Sequence, residues 1–232
     1  MHYLLIGCPK CRSHSIKKNG KTSNKKQRYR CLRCFRQFIT NYTYQGCRQD
    51  IRSLILPMTM NGSGVRDISR VLSISPQTVS KSLRHQADLL PKQALPERLA
   101  DLELDEMWAF VGSKANEQWL WYGFDAKSRR VLGWLSAPHT KQSCKEFLSA
   151  FKGCKVLRFS TDKLKAYEEM IKAEHHWVGK EWTQRIERNH LNFRTHIKRL
   201  QRRTICFSKS EQMHEAVIKL YVHHLNSRQH LL

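Results

Sequence analysis

Four cysteines near the start of the chain have the spacing of a metal site. Cys8 and Cys11 form one C-x2-C pair, Cys31 and Cys34 form another, and nineteen residues separate the two pairs. Each pair places two thiolates on one side of a tight turn, so two pairs can complete a tetrahedral site for one structural zinc ion. A redox disulfide and unliganded reduced thiols are the alternatives. We predict a zinc ribbon over residues 1–48, with short strands at 27–30 and 36–40.

Three carboxylates in the second half of the chain could hold divalent metal ions. Asp105 lies in a predicted strand, and Asp162 follows a later one, at the end where open α/β sheets form their sites. The two would meet if these strands are neighbours. Glu187 is the one acid among seven Lys or Arg between Thr183 and Arg203. It is either the partner of a surface ion pair or a metal ligand. The presence of Asp105 and Asp162 favours the interpretation as a metal ligand.

These residue types suit phosphodiester cleavage and transfer. Two magnesium ions about 3.5–4 Å apart can activate the attacking oxygen and stabilise the leaving oxygen. Hard cations prefer oxygen ligands, and manganese accepts the same set. Of the nearby acids, Glu103 shares the strand face of Asp105 and could assist, whereas Glu106 is expected to point away. Asp125 is expected to stabilise a turn, and His190 is the one histidine that we place near the chemistry.

The elements that must position these acids alternate between strands and helices over residues 101–232. Their order, β-β-β-α-β-α-β-α, is that of an α/β ribonuclease-H-like domain, a mixed sheet flanked by helices. The last predicted helix spans residues 182–200 and carries Glu187. On that helix Arg188, Arg194 and Lys198 are candidates for contacts with DNA phosphates.

A helical segment precedes this domain. Residues 49–85 predict three helices, at 50–60, 65–72 and 76–85, followed by a linker with two prolines at 86–100. Ser75 is a suitable N-cap with Pro76 at the first helical position. The last two helices fit a helix-turn-helix module that reads DNA in the major groove; a plain three-helix packing unit is the alternative. The candidate DNA contacts on the third helix are Gln77, Thr78, Lys81 and Arg84.

The charge balance indicates a polyanionic partner. The 232 residues include 42 Lys and Arg against 19 Asp and Glu, a formal net charge of +23. Double-stranded DNA fits this excess better than a membrane surface, and no apolar run is long enough to span a bilayer. We therefore expect a cytoplasmic, nucleoid-associated protein with no membrane partner. Within the zinc ribbon, where a merely solvated basic face is the alternative, the candidate phosphate contacts are Lys17, Lys18, Lys25, Lys26 and Arg28.

Several of these motifs together resemble the insertion-sequence-one family of transposases. They are the two cysteine pairs, Leu104-Asp105-Glu106-x-Trp108, Thr161-Asp162, the run Thr183–Arg188 and Phe207-Ser208-Lys209-Ser210. The resemblance implies a transposase with an Asp-Asp-Glu triad of Asp105, Asp162 and Glu187, and an N-terminal region that binds the terminal inverted repeats of the element. It also implies a basic residue seven positions after the Glu, which is Arg194 here, and a full-length form made by ribosomal frameshifting.

Two other function classes stay open at this point. A ribonuclease-H-like nuclease or resolvase would share the triad but would only hydrolyse DNA. A non-enzymatic zinc and helix-turn-helix regulator would leave the three acids without a role. We expect a homo-oligomer in the active complex.

Overall fold

The computed structural model describes residues 5–228 of the chain. The chain divides into two compact units, Met1–Gln49 and Asp50–Leu232. The predicted helical segment at 49–85 and the predicted catalytic segment at 101–232 therefore share a compact unit. Their separation by function stays a prediction.

The first unit is built on a three-stranded antiparallel sheet. Its strands are β1 (Ile16–Lys21), β2 (Gln27–Cys31) and β3 (Gln37–Ile39), in the order β1-β2-β3. The two predicted strands are β2 and β3, and β1 is an addition. Because β1 has a single apolar residue, Ile16, its sequence lacks the alternation of a strand. Pairing with β2 holds it in place, with Ile16 opposite Cys31.

Four helices open the second unit. They are α1 (Gln49–Ser53), α2 (Ile55–Met60), α3 (Val65–Leu72) and α4 (Pro76–Leu89). The predicted single helix at 50–60 is thus interrupted at Leu54. Pro57 has no N–H to donate to the carbonyl group of Ser53, four residues earlier, which accounts for the break.

The connection between α3 and α4 is a tight turn of the predicted kind. Ser73 adopts a left-handed conformation with φ of 52° and ends α3. Ser75 caps α4, because its Oγ accepts a hydrogen bond of 3.1 Å from the backbone N–H of Thr78. Pro76 occupies the first helical position, where its missing N–H costs nothing.

The remainder of the second unit contains a five-stranded mixed sheet with flanking helices. The strands are β4 (Arg98–Leu99), β5 (Leu102–Met107), β6 (Trp119–Asp125), β7 (Arg130–Ala137), β8 (Lys155–Val156), β9 (Phe159–Thr161) and β10 (His176–Val178). The helices are α5 (Lys141–Ser149), α6 (Lys165–Met170), α7 (Gln184–His196) and α8 (Glu211–Arg228).

The strand order of the main sheet is that of the ribonuclease-H-like fold. It runs β10-β9-β5-β6-β7, with β5, β6 and β7 antiparallel. Strand β9 pairs in parallel with β5, and β10 pairs in parallel with β9. A separate parallel pair joins β4 to β8. The predicted fold class is therefore confirmed, and the first and fourth strands of the sheet are neighbours.

Each face of the sheet buries its own hydrophobic core. Leu120 and Tyr122 of β6 point to one face, where they pack with Phe193 of α7, with residues of α8 and with the helices α2–α4. Trp121 points to the other face and packs with residues of α5 and α6. Since successive side chains of a strand alternate between faces, β6 contributes to both cores.

Helix α8 is not among the elements predicted from the sequence. It packs against α4 and β7, so the helical segment and the sheet share one core. The predicted helix at 182–200 is shorter, because α7 ends at His196. Within residues 5–228, no helix has the length and apolar character needed to cross a bilayer.

Candidate active site and zinc centre

The four predicted cysteine ligands meet in the first unit. Cys8 Sγ lies 3.5 Å from Cys34 Sγ, and Cys11 Sγ lies 3.6 Å from Cys31 Sγ. All four sulfur atoms lie within 4.8 Å of one another. These separations are far longer than a disulfide bond of about 2.05 Å. They are close to the sulfur–sulfur distance of about 3.8 Å that tetrahedral zinc with bonds of about 2.3 Å requires.

Within the cysteine cluster the thiolate is favoured at Cys8, whereas burial and the neighbouring cysteines raise the pKa of Cys11 to about 11. Burial opposes ionisation of Cys8, but hydrogen bonds from the backbone N–H groups of Cys11 and Lys10 and from neighbouring thiols lower its pKa to about 6. Lys10 N donates to Cys8 Sγ over 3.4 Å. A thiolate is the form that ligates metal, so the site fits a zinc ion.

Two of the predicted catalytic acids meet at the end of β9. The ligand oxygens of Asp105, Glu106 and Asp162 all lie within 4.8 Å of one another. Strand β9 is short and contacts β5 only through Leu102 opposite Phe159 and Glu103 opposite Ser160. Beyond residue 104, β5 therefore has no strand partner on the β9 side. Asp162 lies at this uncovered edge, next to Asp105.

Asp105 is largely buried within this cluster. Its Oδ1 accepts a hydrogen bond of 2.7 Å from the N–H of Glu106, and its Oδ2 lies 3.8 Å from His190 Nε2. Burial, followed by the charges of Asp162 and Glu187, raises the pKa of Asp105 to about 7. His190 does not neutralise the carboxylates, because burial and nearby arginines lower its pKa to about 4.

Glu106 leaves β5 on the face opposite to Asp105, as predicted, but its carboxylate still belongs to the cluster, which the prediction did not include. Its side chain is 4% exposed, accepts a hydrogen bond from the Tyr167 hydroxyl group, and lies 3.8 Å from His139 Nε2. Burial, with smaller contributions from Asp105 and Asp162, raises its pKa to about 8. Alternation holds along β5, because Asp105 lies on the face toward His190 of α7 and Glu106 lies on the face toward Tyr167 of α6. At this uncovered edge the two carboxylates turn toward each other.

Glu187 occupies the first turn of α7 and is exposed. It lies outside the group of three acids defined above, although its charge raises the pKa of Asp105. Glu103 positions the helix that carries it. The buried Glu103 Oε2 accepts a hydrogen bond of 2.8 Å from the N–H of Ile186, and the Tyr122 hydroxyl donates to the carbonyl group of Ile186 over 3.0 Å. Glu103 therefore fixes the start of α7.

Comparison with protein families decides the assignment. Residues 99–228 match the family described as IS1 transposase, and residues 1–35 match a zinc ribbon described as the InsA N-terminal domain. The first match covers more than half of the chain. This chain belongs to the IS1 transposase family.

Curated relatives agree with this assignment. The insertion element iso-IS1n protein InsB of Shigella dysenteriae is 44% identical over 120 residues, which cover 52% of this chain and 92% of that protein. The insertion element IS1 9 protein InsB of Escherichia coli (strain K12) is 31% identical over 156 residues, 67% of this chain and 88% of that protein.

Solved structures with a similar fold are more distant. The HTLV-2 integrase catalytic core domain in complex with magnesium (trimeric form) is 18% identical, with a TM-score of 0.35 over 56% of this chain and 86% of that chain. A chain in the structure of the simian T-cell lymphotropic virus intasome in complex with PP2A regulatory subunit B56 gamma is 13% identical, with a TM-score of 0.38 over 72% of this chain and 66% of that chain. The fold assignment rests on the strand order above and not on these scores.

The residues predicted to contact DNA in this IS1-family transposase differ in exposure and in whether their side chains already form hydrogen bonds within the protein. Several are exposed: Lys17, Lys18, Lys25, Gln77, Lys81 and Arg188. Others have bonds within the protein. Lys26 Nζ donates to the Asn41 carbonyl, Arg28 to the Lys21 carbonyl, Arg84 to Gln212, and Arg194 to the Leu200 carbonyl. Lys198 is half-buried, and Thr78 joins the cap of α4.

The acidic cluster of the transposase fits a hard divalent cation. Its donors are carboxylate oxygens, and the pKa values of Asp105 and Glu106 are both raised because the two groups are buried and lie near other acids. A metal ion must displace the protons that these groups hold. We therefore expect the affinity for Mg²⁺ or Mn²⁺ to rise with pH from about 6 to about 9, by up to tenfold per unit for each proton released.

The pH dependence is measurable by calorimetric titration of Mn²⁺ into the zinc-containing protein, freed of other divalent cations, at several pH values and in buffers of different ionisation enthalpy. Glu106→Gln removes the group with the higher pKa, so the affinity should vary less between pH 7.5 and pH 9. Glu146→Gln, an exposed acid on α5, is the matched control. An affinity that is independent of pH in the unaltered protein would contradict the proton-coupled site.

Proposed function

We propose that this chain binds the terminal inverted repeats of an insertion sequence and catalyses metal-dependent strand cleavage and strand transfer into target DNA. The supporting observation is the meeting of Asp105 of β5 with Asp162, which follows β9, close enough to Glu187 of α7 for its charge to raise the pKa of Asp105. Asp105, Asp162 and Glu187 would hold the catalytic cations. When bound, two magnesium ions would activate the attacking oxygen and stabilise the leaving oxygen.

Other residues of the chain would position the DNA and the acids. Glu103 and Tyr122 fix the start of α7 and so the place of Glu187. Arg194 lies on the same helix about two turns further on and would bind a phosphate near the scissile one. The zinc ribbon and α4 would bind the element ends, and a homo-oligomer would form the active complex.

The function is tested with purified protein, DNA that carries the ends of the parent element, and Mg²⁺. Nicks at the ends and products joined to target DNA are both scored, with pre-nicked ends in a parallel reaction. We expect joined products from the pre-nicked ends. Hydrolysis without joining would identify a nuclease or resolvase instead, and end binding without nicks in either Mg²⁺ or Mn²⁺ would identify a regulator.

The recognition role of α4 has its own test. Gln77 and Lys81 are exposed on the helix that begins at the capped turn, where helix-turn-helix proteins contact bases. Gln77→Ala should reduce the preference for element ends over random DNA by about 5- to 150-fold, the range for a loss of roughly 1–3 kcal/mol. Competition binding with labelled end DNA measures the ratio.

Gln86→Ala is a matched control, since it changes the same residue type on the same helix, near its C-terminal end. It should leave the preference unchanged. Equal effects of the two substitutions would show that α4 supports the fold and does not read bases.

A further inference from the structure

A cavity of about 910 Å³ lies in the second unit between the helical segment and the chain that connects α7 to α8. One wall consists of residues 63–67 at the start of α3, together with Arg70, and of Pro76, Ser80 and Arg84 on α4. The other wall includes Lys198, Arg199 and residues 205–210. None of these residues belongs to the acidic cluster.

The walls of this cavity carry a large excess of positive charge. The cations are Arg66, Arg70, Arg84, Lys198, Arg199 and Lys209, and the one acid among the lining residues is Asp67. Asp67 is already engaged. Its Oδ2 accepts a hydrogen bond of 3.0 Å from the N–H of Gly64, and it forms an ion pair with Arg70. Five of the six cations thus have no acid among the lining residues to neutralise them, which favours a polyanionic ligand.

Arg199 is the most informative of these cations. Its Nη1 donates to Ser208 Oγ over 3.2 Å and to the carbonyl group of Met213 over 3.1 Å. Ser208 Oγ is in turn 2.7 Å from His214 Nδ1. No ion pair within residues 5–228 involves Arg199, and burial lowers its pKa to about 10. A guanidinium group held at a cavity wall by neutral acceptors keeps its charge available for an anion.

The motif Phe207-Ser208-Lys209-Ser210 forms part of this wall, and the catalytic acids make no use of it. Ser208 is buried, and its carbonyl group accepts a hydrogen bond of 2.8 Å from the N–H of Gly112. The wall is thereby attached to the loop that follows β5. Lys209 is exposed at the cavity. The motif thus presents a cation from a fixed position.

The geometry of α4 relates the cavity to DNA. Pro76, Ser80 and Arg84 are spaced by four residues and line the cavity, whereas Gln77 and Lys81 form the adjacent stripe, about 100° around the helix. If Gln77 and Lys81 contact bases, the sugar–phosphate backbone beside those bases would therefore pass over the cavity.

We propose that this cavity, the α3–α4 cleft, binds the sugar–phosphate backbone of double-stranded DNA without regard to sequence. The choice of DNA as the partner rests on the proposed function. The cleft is an additional DNA-binding surface, formed by both the helical segment and the chain after α7. Phosphate contacts supply affinity and orientation, and their loss weakens binding to all sequences alike.

The test uses Arg66→Glu with Lys209→Glu, two exposed side chains on opposite walls. The matched control, Lys127→Glu with Lys152→Glu, makes the same change in net charge at exposed positions outside the cleft. Both pairs are placed in full-length protein with Asp162→Ala and without added divalent metal, so binding is measured apart from catalysis. Fluorescence anisotropy with end DNA and with random duplex DNA gives the affinity at several salt concentrations.

We expect the cleft pair to lose at least tenfold in affinity for both duplexes, with the salt dependence of log K shallower by about two in slope. The control pair should lose much less. Equal losses for the two pairs would overturn the proposal. If the unaltered protein transfers no strands but the two pairs differ in affinity, the proposed function is wrong and the cleft is supported. If it transfers strands but the two pairs lose affinity equally, the proposed function is supported and the cleft is wrong.

A crosslink provides a second readout that needs no change of charge. Cys206 lines the cleft, and Cys154 is a similarly half-buried cysteine outside it. Duplex DNA with a bromoacetyl group on a backbone phosphorothioate should alkylate Cys206: the thiolate forms a C–S bond and bromide leaves. Peptide mass spectrometry should find the adduct at Cys206 and lose it in Cys206→Ser. An adduct at Cys154 in place of Cys206 would contradict the proposed path of the DNA.

Discussion

Asp105→Ala, Asp162→Ala and Glu187→Ala are each expected to abolish strand cleavage and joining. Each removes a carboxylate oxygen from a site that would hold catalytic cations. Such cations supply several kcal/mol of charge stabilisation in the transition state, so we expect losses of roughly a thousandfold or more. Binding of end DNA should stay nearly unchanged, because these acids repel phosphates and do not bind them.

Joining of pre-nicked ends in Mg²⁺ measures this effect, with anisotropy for binding. Glu146→Ala, an exposed acid on α5, is the control and should be fully active. The joining rates of Glu187→Ala and Glu106→Ala should be compared directly, since Glu187 is exposed while Glu106 lies with the two aspartates. If Glu187→Ala joins ends at the normal rate and Glu106→Ala does not, the third ligand is Glu106 and our assignment is wrong.

Cys8→Ser or Cys31→Ser is expected to release the metal and unfold the first unit. The buried core of that unit consists of Cys8, Cys31 and Phe38 with a few half-buried neighbours, so little apolar burial supports it. Structural zinc binding is worth about 10–16 kcal/mol in small zinc modules, far more than this core can replace. The second unit has two larger cores of its own and should stay folded.

Zinc is measured with a chromogenic chelator after purification, and we expect about one ion per chain in the unaltered protein. Limited proteolysis should then cut the first unit of the Cys31→Ser variant while residues 50–228 resist. Cys47→Ser, at an exposed cysteine outside the cluster, should keep the zinc and the fold. A Cys31→Ser protein that is as resistant as the unaltered chain would show that the metal is dispensable.

Sequence alone identifies the features in which local chemistry and spacing decide the structure. The cysteine pairs predict the sulfur cluster because two C-x2-C turns leave few other arrangements. Ser75 and Pro76 predict the start of α4, since the cap needs only residues within one turn. Asp105 within one strand and Asp162 at the end of another are predicted to meet if the two strands are neighbours, and the parallel pairing of β5 with β9 meets that condition.

Tertiary structure alone decides three other features. Helix α8 escapes sequence reading because it is buried on several sides by α4 and β7, so its apolar residues run together without a clear helical period. Glu103 binds the N–H of Ile186, 83 residues away, and no local pattern encodes that contact. Glu106 joins Asp105 and Asp162 because β9 ends after Thr161 and leaves the edge of β5 uncovered. Alternation along a strand predicts which face a side chain takes, but the neighbouring strand's length decides whether two faces can meet at the edge.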